Sequence, residues 1–134
     1  MRMEQELVHG IGCARELDAL GIQPSVWHIN EGHAAFLILE RARCAAKAMP
    51  YSEALENVAA NTVFTTHTPV AAGHDQFDRS MIERYLDGYC RESGLPVDDL
   101  LALGRHATEP SFNMTALAVR GARFHNAVSW VRWG

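Results

Sequence analysis

The sequence predicts an α/β fold in which about three parallel strands are flanked by helices. Three short runs rich in β-branched and aromatic residues predict the strands, at residues 26–29, 62–66 and 127–131. Longer segments with helical periodicity separate these runs. Strands that alternate with helices favour a parallel sheet. With 134 residues, the chain has the length of one domain, although three strands make a small sheet for this class.

The composition is that of a soluble globular protein, with 48% hydrophobic and 21% charged residues. The net charge of −4 argues against nucleic acid as the main partner. We find no apolar run long enough to span a membrane and no apolar core of a signal peptide near the first residue. Three widely spaced cysteines indicate free thiols, so we expect a cytoplasmic protein without a membrane partner.

The first helix is expected over residues 3–20, where apolar residues recur at every third or fourth position. Gly10 and Gly12 lie inside it, and each weakens a helix by about 1 kcal/mol relative to alanine. Such a glycine pair indicates close packing or a kink. Gly21 and Pro24 mark the end of this helix.

The second helix is expected from His33 to about Ala48, with an apolar stripe on one side. Its charged residues are expected to lie largely outside that stripe: Glu40, Arg41, Arg43 and Lys47. Pro50 ends it, and Ser52 can cap a short helix that follows. Further helices are expected at about residues 79–92, 97–103 and 112–123.

A polar turn follows the first predicted strand and contains Asn30, Glu31 and His33. In open α/β sheets, ligands bind at the carboxyl ends of the strands. Amide and imidazole groups both donate and accept hydrogen bonds, which suits the recognition of sugar hydroxyls. The alternative is structural: Asn30 caps the next helix, and His33 merely lies in its first turn.

A second polar loop begins after the second predicted strand with His67 and Thr68. If the two strands are parallel neighbours, both loops leave the same edge of the sheet. This arrangement would gather Asn30, His33, His67 and Thr68 in one crevice. The alternative is a loop whose hydroxyl groups satisfy its own backbone.

A metal site is a competing interpretation of the same region. Enough potential ligands for zinc or iron are present: His28, Glu31, His33, His67, His74 and Asp75. Their spacing matches no strong template, because the His-Glu-x-x-His pattern is missing. A histidine-liganded metalloenzyme is therefore a minor alternative, and we expect no metal.

Residues 28–36, His-Ile-Asn-Glu-Gly-His-Ala-Ala-Phe, resemble a motif of the bacterial and archaeal α-glucan (glycogen/maltodextrin) phosphorylases. Residues 62–75 resemble the next block of that family. Shorter blocks at residues 6–12, 112–115 and 126–129 follow the same order, so the resemblance covers essentially the whole chain. It implies that residues 1–134 are a single partial domain, an internal fragment of the phosphorylase N-terminal domain.

The resemblance implies an activity for the full-length enzyme. Members of the family are hexosyltransferases that cleave the terminal α-1,4 link of a glucan with phosphate and release glucose 1-phosphate. They have two Rossmann-like domains facing a cleft, the GT-B arrangement, and bind pyridoxal phosphate in the carboxyl-terminal domain. By resemblance, His33 contacts the glucosyl unit, notably its 6-hydroxyl. Asn30, Glu31, His67 and Thr68 match motif positions near the cleft.

Several features depart from a complete phosphorylase. The chain is much shorter than a two-domain enzyme, and it has no glycine-rich loop for the substrate phosphate. Its only lysine, Lys47, is expected on the polar side of an ordinary helix, so the Schiff-base lysine of the cofactor is not in this chain. We therefore expect no catalytic residue here and no activity of the chain alone. Residues 130–134 depart from the family and predict a truncated end or a shifted reading frame.

A non-catalytic alternative is a self-associating binding or scaffold module derived from this family. A sheet of about three strands exposes an edge and an uncovered apolar face. This favours a homo-oligomer, with Trp130 and Trp133 as candidate contacts.

Overall fold

A three-stranded parallel sheet forms the centre of the fold. The computed structural model describes residues 2–67, 75–106 and 110–127. The strands are β1 (Trp27–Asn30), β2 (Thr62–Thr66) and β5 (Phe124–Ala127), in the order β1-β2-β5. Residue 30 of β1 lies beside residue 65 of β2, which lies beside residue 126 of β5. The predicted α/β class with three parallel strands is confirmed.

Helices connect these strands. The described segments contain seven α-helices: α1 (Arg2–Leu7), α2 (Cys13–Ala19), α3 (Phe36–Ala45), α4 (Tyr51–Ala60), α5 (Arg79–Ser93), α6 (Val97–Leu103) and α7 (Met114–Arg120). Two short strands, β3 (Gln76–Phe77) and β4 (Phe112–Asn113), pair in an antiparallel fashion. The connection from β1 to β2 contains α3 and α4. The connection from β2 to β5 contains β3, α5, α6, β4 and α7.

Helix α3 is the core helix, and it contacts α2, α4, α7 and the turn that joins α1 to α2. Phe36, Ile38 and Leu39 are fully buried. Because several elements surround this helix, burial extends over consecutive positions and is not restricted to one stripe. The helix also begins at Phe36, three residues later than expected.

The expectation that Glu40 lies largely outside the buried stripe is wrong, because only 1% of this residue is exposed. Its carboxylate lies 2.6 Å from Nη2 of Arg43 and 3.1 Å from Nε of Arg15. Burial alone would raise the pKa of Glu40, but the hydrogen bonds from Arg43 and Arg15 lower it overall. The two guanidinium groups make it possible to bury this carboxylate.

The amino-terminal helix is not continuous over residues 3–20. A π-helical turn (Val8–Gly12) separates α1 from α2. A Cβ atom added to Gly10 would lie 2.7 Å from the backbone nitrogen of Leu37 and 2.9 Å from Cβ of Phe36. Gly10 therefore permits close approach to α3, so close packing, one of the two expectations for the glycine pair, applies to Gly10.

Other element boundaries also differ from the predicted ones. Helix α4 begins at Tyr51 with Pro50 at its N-cap, so Ser52 is not the cap. Residues 112–113 form β4 before the last helix begins. Strand β5 starts at residue 124, and residues 128–131 of the predicted strand lie outside the described residues, as do Trp130 and Trp133.

Among the residues that the structure describes, no helix is both long and apolar enough to cross a bilayer.

Candidate functional site at the carboxyl edge of the sheet

The ends of β1 and β2 bring three of the predicted site residues together. Nε2 of His67 lies 3.5 Å from Oδ1 of Asn30, and both residues are exposed. The carboxylate of Glu31 accepts a hydrogen bond from the backbone N–H of His67. Parallel strands thus place the first residues after β1 and β2 at one edge, as predicted. Thr68 and His74, which were also named as site candidates, lie outside the described residues.

Glu31 adopts a left-handed backbone conformation with φ of 59°, which non-glycine residues rarely adopt. Its N–H donates to the carbonyl of Thr65 at 2.8 Å, and the hydroxyl of Thr66 donates to its carboxylate at 3.3 Å. Such a conformation costs on the order of 1–3 kcal/mol and is concentrated at functional sites. The contacts of both its backbone and its carboxylate hold Glu31 in this conformation.

A polar row beneath this edge joins the three strands. Nε2 of His28 lies 2.5 Å from the hydroxyl of Thr65, and that hydroxyl also donates to Oδ1 of Asn126. Each of the three residues belongs to a different strand of the sheet. This geometry gives His28 a structural role in the sheet.

His33 lies in a second cluster with Asp75, Arg2 and Glu6. Its Nδ1 atom is 2.8 Å from Oδ2 of Asp75 and 3.5 Å from Oε1 of Glu6. Nε of Arg2 is 3.1 Å from Oδ1 of Asp75. Burial opposes the ionised form of Asp75, but hydrogen bonds with Glu6, His33 and Arg2 lower its pKa below the ordinary value. Asp75 therefore holds one nitrogen of the His33 ring.

Glu6 is the most buried acid of this cluster, with 4% of its side chain exposed. Neither of its carboxylate oxygens accepts a hydrogen bond from the described residues. Burial, followed by the interaction with Asp75, raises the pKa of Glu6 to about 9, whereas Arg2 opposes the shift. Glu6 is thus protonated at neutral pH, and its O–H can donate to Asp75. The proton provides the hydrogen bond that a carboxylate could not make.

The donor atoms of Glu6, His33 and Asp75 lie within 4.8 Å of one another, a set that could hold a divalent cation. Arg2 already supplies positive charge to this cluster, since its Nε atom lies within 4 Å of both carboxylates. The proton on Glu6 reduces the negative charge further. The arrangement favours a hydrogen-bonded charge network over a metal centre.

Arg2 and Glu6 were not among the residues predicted from the sequence to belong to the site. A signal for Glu6 was nevertheless present, because its spacing from Met3, Gly10 and Ala14 places it on the buried face of the amino-terminal helices. A carboxylate on an apolar face implies either a cationic partner or a raised pKa.

The fold and this site define an α/β unit whose polar groups gather at the carboxyl edge of a parallel sheet. No family model matches the chain. It is 46% identical over 129 residues to the maltodextrin phosphorylase of Thermococcus litoralis. It is 42% identical over 141 residues to a glycogen phosphorylase of Mycobacterium tuberculosis, and 34% identical over 132 residues to that of Aquifex aeolicus.

These alignments cover 96% of the chain. The chain spans only 15%, 16% and 19% of the length of these three relatives, respectively. The chain therefore matches a segment of the maltodextrin and glycogen phosphorylase family.

Proposed function

We propose that the chain forms the glucosyl-binding side of the active-site cleft of an α-glucan phosphorylase, as part of its Rossmann-like N-terminal domain of the GT-B type. The full-length enzyme would cleave α-1,4-glucan with phosphate and release glucose 1-phosphate in the cytoplasm. The observation that carries this proposal is the convergence of Asn30, Glu31 and His67 at the ends of two parallel strands. They belong to the two sequence blocks, residues 28–36 and 62–75, that resemble the phosphorylase motifs.

The exposed amide of Asn30 and the imidazole of His67 can each donate to and accept from a sugar hydroxyl. Glu31 orients the start of the second loop by binding the N–H of His67. His33 is engaged at Nδ1 by Asp75, so we assign its Nε2 atom to a substrate hydroxyl. Thr68 belongs to this proposal through its position in the motif.

Pyridoxal phosphate would act in the full-length enzyme, but the residues present here do not fit it. Its attachment requires a lysine, and Lys47 is exposed and lines a cavity beside Trp27, the first residue of β1. That position lies at the amino edge of the sheet, opposite the edge that carries Asn30 and His67. The chain alone is therefore expected to bind sugar without turning it over.

We expect maltodextrin to bind the chain weakly, with a dissociation constant on the order of millimolar. His67→Ala should weaken binding about 3- to 10-fold, because it removes one or two hydrogen bonds to the sugar. The measurement is an NMR titration of the ¹⁵N-labelled chain. His9→Ala, which removes an exposed histidine from the π-helical turn, is the matched control. Equal weakening by both substitutions would refute a specific contact by His67.

The same samples test for activity of the chain alone. With maltodextrin, phosphate and pyridoxal phosphate present, no glucose 1-phosphate should form. Robust formation of this product would contradict a role restricted to sugar binding.

Self-association is a second candidate function, because strand β5 is exposed at all four of its positions. Among the described strands β5 pairs only with β2, and 53% of Phe124 is exposed. An exposed edge strand with an apolar side chain favours pairing with another copy. We expect light scattering to show a mass that rises with protein concentration, and Phe124→Lys to abolish this rise. The control is Leu20→Lys, at another exposed apolar position; a constant monomeric mass would exclude this function.

A further inference from the structure

A cavity of about 440 Å³ lies among α2, α3 and α4, at the amino edge of the sheet, opposite the edge that carries Asn30 and His67. Trp27, the first residue of β1, and Asn61, which precedes β2, both line it. Its volume is within the range of small-molecule binding sites. The proposed glucan site therefore does not include this cavity.

Arg41 lies in the wall of the cavity and is half-buried. Its Nη1 and Nη2 atoms donate to the side chains of Thr62 at 2.8 Å and Asn61 at 2.5 Å. Its guanidinium carbon lies 4.6 Å from the ring centroid of Trp27. These contacts fix the plane of the guanidinium, which has five N–H donors in all. Three donors therefore remain for a ligand.

No carboxylate of the described residues lies within ion-pair distance of Arg41. Burial lowers the pKa of Arg41 to about 10, so the side chain still carries its charge at neutral pH. A half-buried cation without an anionic partner is unfavourable. An anion bound in the cavity would compensate for this charge.

The charges around the cavity also favour an anion. Four cationic side chains and two carboxylates line it: Arg15, Arg41, Arg43, Lys47, Asp18 and Glu40. Arg15 and Arg43 share the carboxylate of Glu40. The excess of positive charge is local, since the whole chain has a net charge of −4.

We propose that this cavity binds a small organic anion. Arg41 would hold its carboxylate or phosphate group in a bidentate manner, as guanidinium groups characteristically do. The apolar or planar body of the ligand would pack against Ile22, Pro24 and Val58, which also line the cavity. This proposal does not depend on glucan binding at the other edge.

The test is an NMR titration of the ¹⁵N-labelled chain with phenyl phosphate, which combines a planar body with a phosphate group. The indole N–H of Trp27 and the Nε–H of Arg41 report on the cavity. We expect a dissociation constant on the order of 1 mM. Inorganic phosphate should bind more weakly, because it lacks the apolar body, and uncharged phenol should produce no saturable shift.

Arg41→Gln should weaken the binding of phenyl phosphate about tenfold or more, through the loss of charged hydrogen bonds. Arg91→Gln, which removes an exposed arginine paired with Asp87 on α5, should leave binding unchanged. Arg41→Lys keeps the charge but not the bidentate geometry, so it should also bind more weakly; it decides the question if Arg41→Gln does not fold.

Two results would overturn the proposal. One is the absence of saturable shifts with phenyl phosphate in the wild-type chain. The other is equal affinity of the wild-type chain and a folded Arg41 variant. Maltodextrin binding should be the same in the wild type and in Arg41→Lys, which separates the failure of this proposal from the failure of the glucan site.

Discussion

Replacing Glu6 by glutamine is expected to remove most of the pH dependence of folding stability between about pH 4.5 and pH 9. Burial, followed by the interaction with Asp75, raises the pKa of Glu6 from 4.5 to about 9 on folding. The folded chain therefore binds more protons than the unfolded chain across this interval, and its stability falls as the pH rises. Glutamine does not titrate, and its amide can donate to Asp75 as the protonated acid does.

At pH 8 the Glu6→Gln variant should be more stable than the wild type by roughly 2–5 kcal/mol, because the wild type must take up a proton to fold and each pH unit above 4.5 costs it up to about 1.4 kcal/mol. The difference should shrink towards pH 5. Urea unfolding measured across this pH range gives both free energies. Glu16→Gln, at an exposed position on α2, is the control and should leave the pH profile unchanged. A wild-type stability that rises from pH 5 to pH 9, with the variant parallel to it, would contradict a protonated Glu6.

The titration of Asp75 affects folding stability in a different pH range from that of Glu6. Its pKa is lowered in the folded chain, so the stabilisation that it provides is lost as the pH falls through and below its ordinary value of 3.8. The titrations of Glu6 and Asp75 can thus be separated experimentally.

Gly10→Ala is expected to destabilise the chain by about 1–3 kcal/mol, the usual cost of overpacking. The new Cβ would lie 2.7 Å from the backbone nitrogen of Leu37 and 2.9 Å from Cβ of Phe36. Neither atom is the end of a flexible side chain, so the π-helical turn and α3 must separate. Urea unfolding should show a lower midpoint with an unchanged m-value.

Gly12→Ala is the matched control in the same turn. A Cβ at Gly12 would lie 3.8 Å from Cγ1 of Val8, an ordinary van der Waals distance. The φ and ψ angles of Gly12 are −60° and −45°, which alanine adopts without strain. Gly12→Ala should therefore stabilise the chain by about 0.4–1 kcal/mol. If Gly10→Ala were as stable as Gly12→Ala, the close approach of the turn to α3 would be refuted.

The fold was predictable where local pattern and tertiary packing favour the same element. Residues 62–66 form the predicted strand, and residues 97–103 the predicted helix. Strand β4 was missed because a strand of two residues is too short to show an alternating hydrophobic pattern. Its pairing partner, β3, also lies more than thirty residues earlier in the chain. The burial of Glu40 was missed because it depends on Arg15, which belongs to another helix.

The candidate site was predictable only in part, for a similar reason. The parallel sheet places Asn30 and His67 at one edge. This could be predicted, because the alternation of strands and helices in the sequence already indicates parallel strands. The contact of His33 with Asp75 joins residues that are 42 positions apart, and the sequence around Asp75 carries no periodic signal. The raised pKa of Glu6 depends on burial by the complete fold, so the sequence indicates only that the position faces inward.

The most direct test of a glucosyl site at the carboxyl edge is to map which amides shift when maltodextrin is titrated into the labelled chain. We predict that the amides of Asn30, Glu31 and His67 shift together and saturably, whereas those of Trp27 and Asn61 at the opposite edge do not. Shifts confined to the amino edge, or no saturable shift at any position, would contradict a sugar-binding role for this segment.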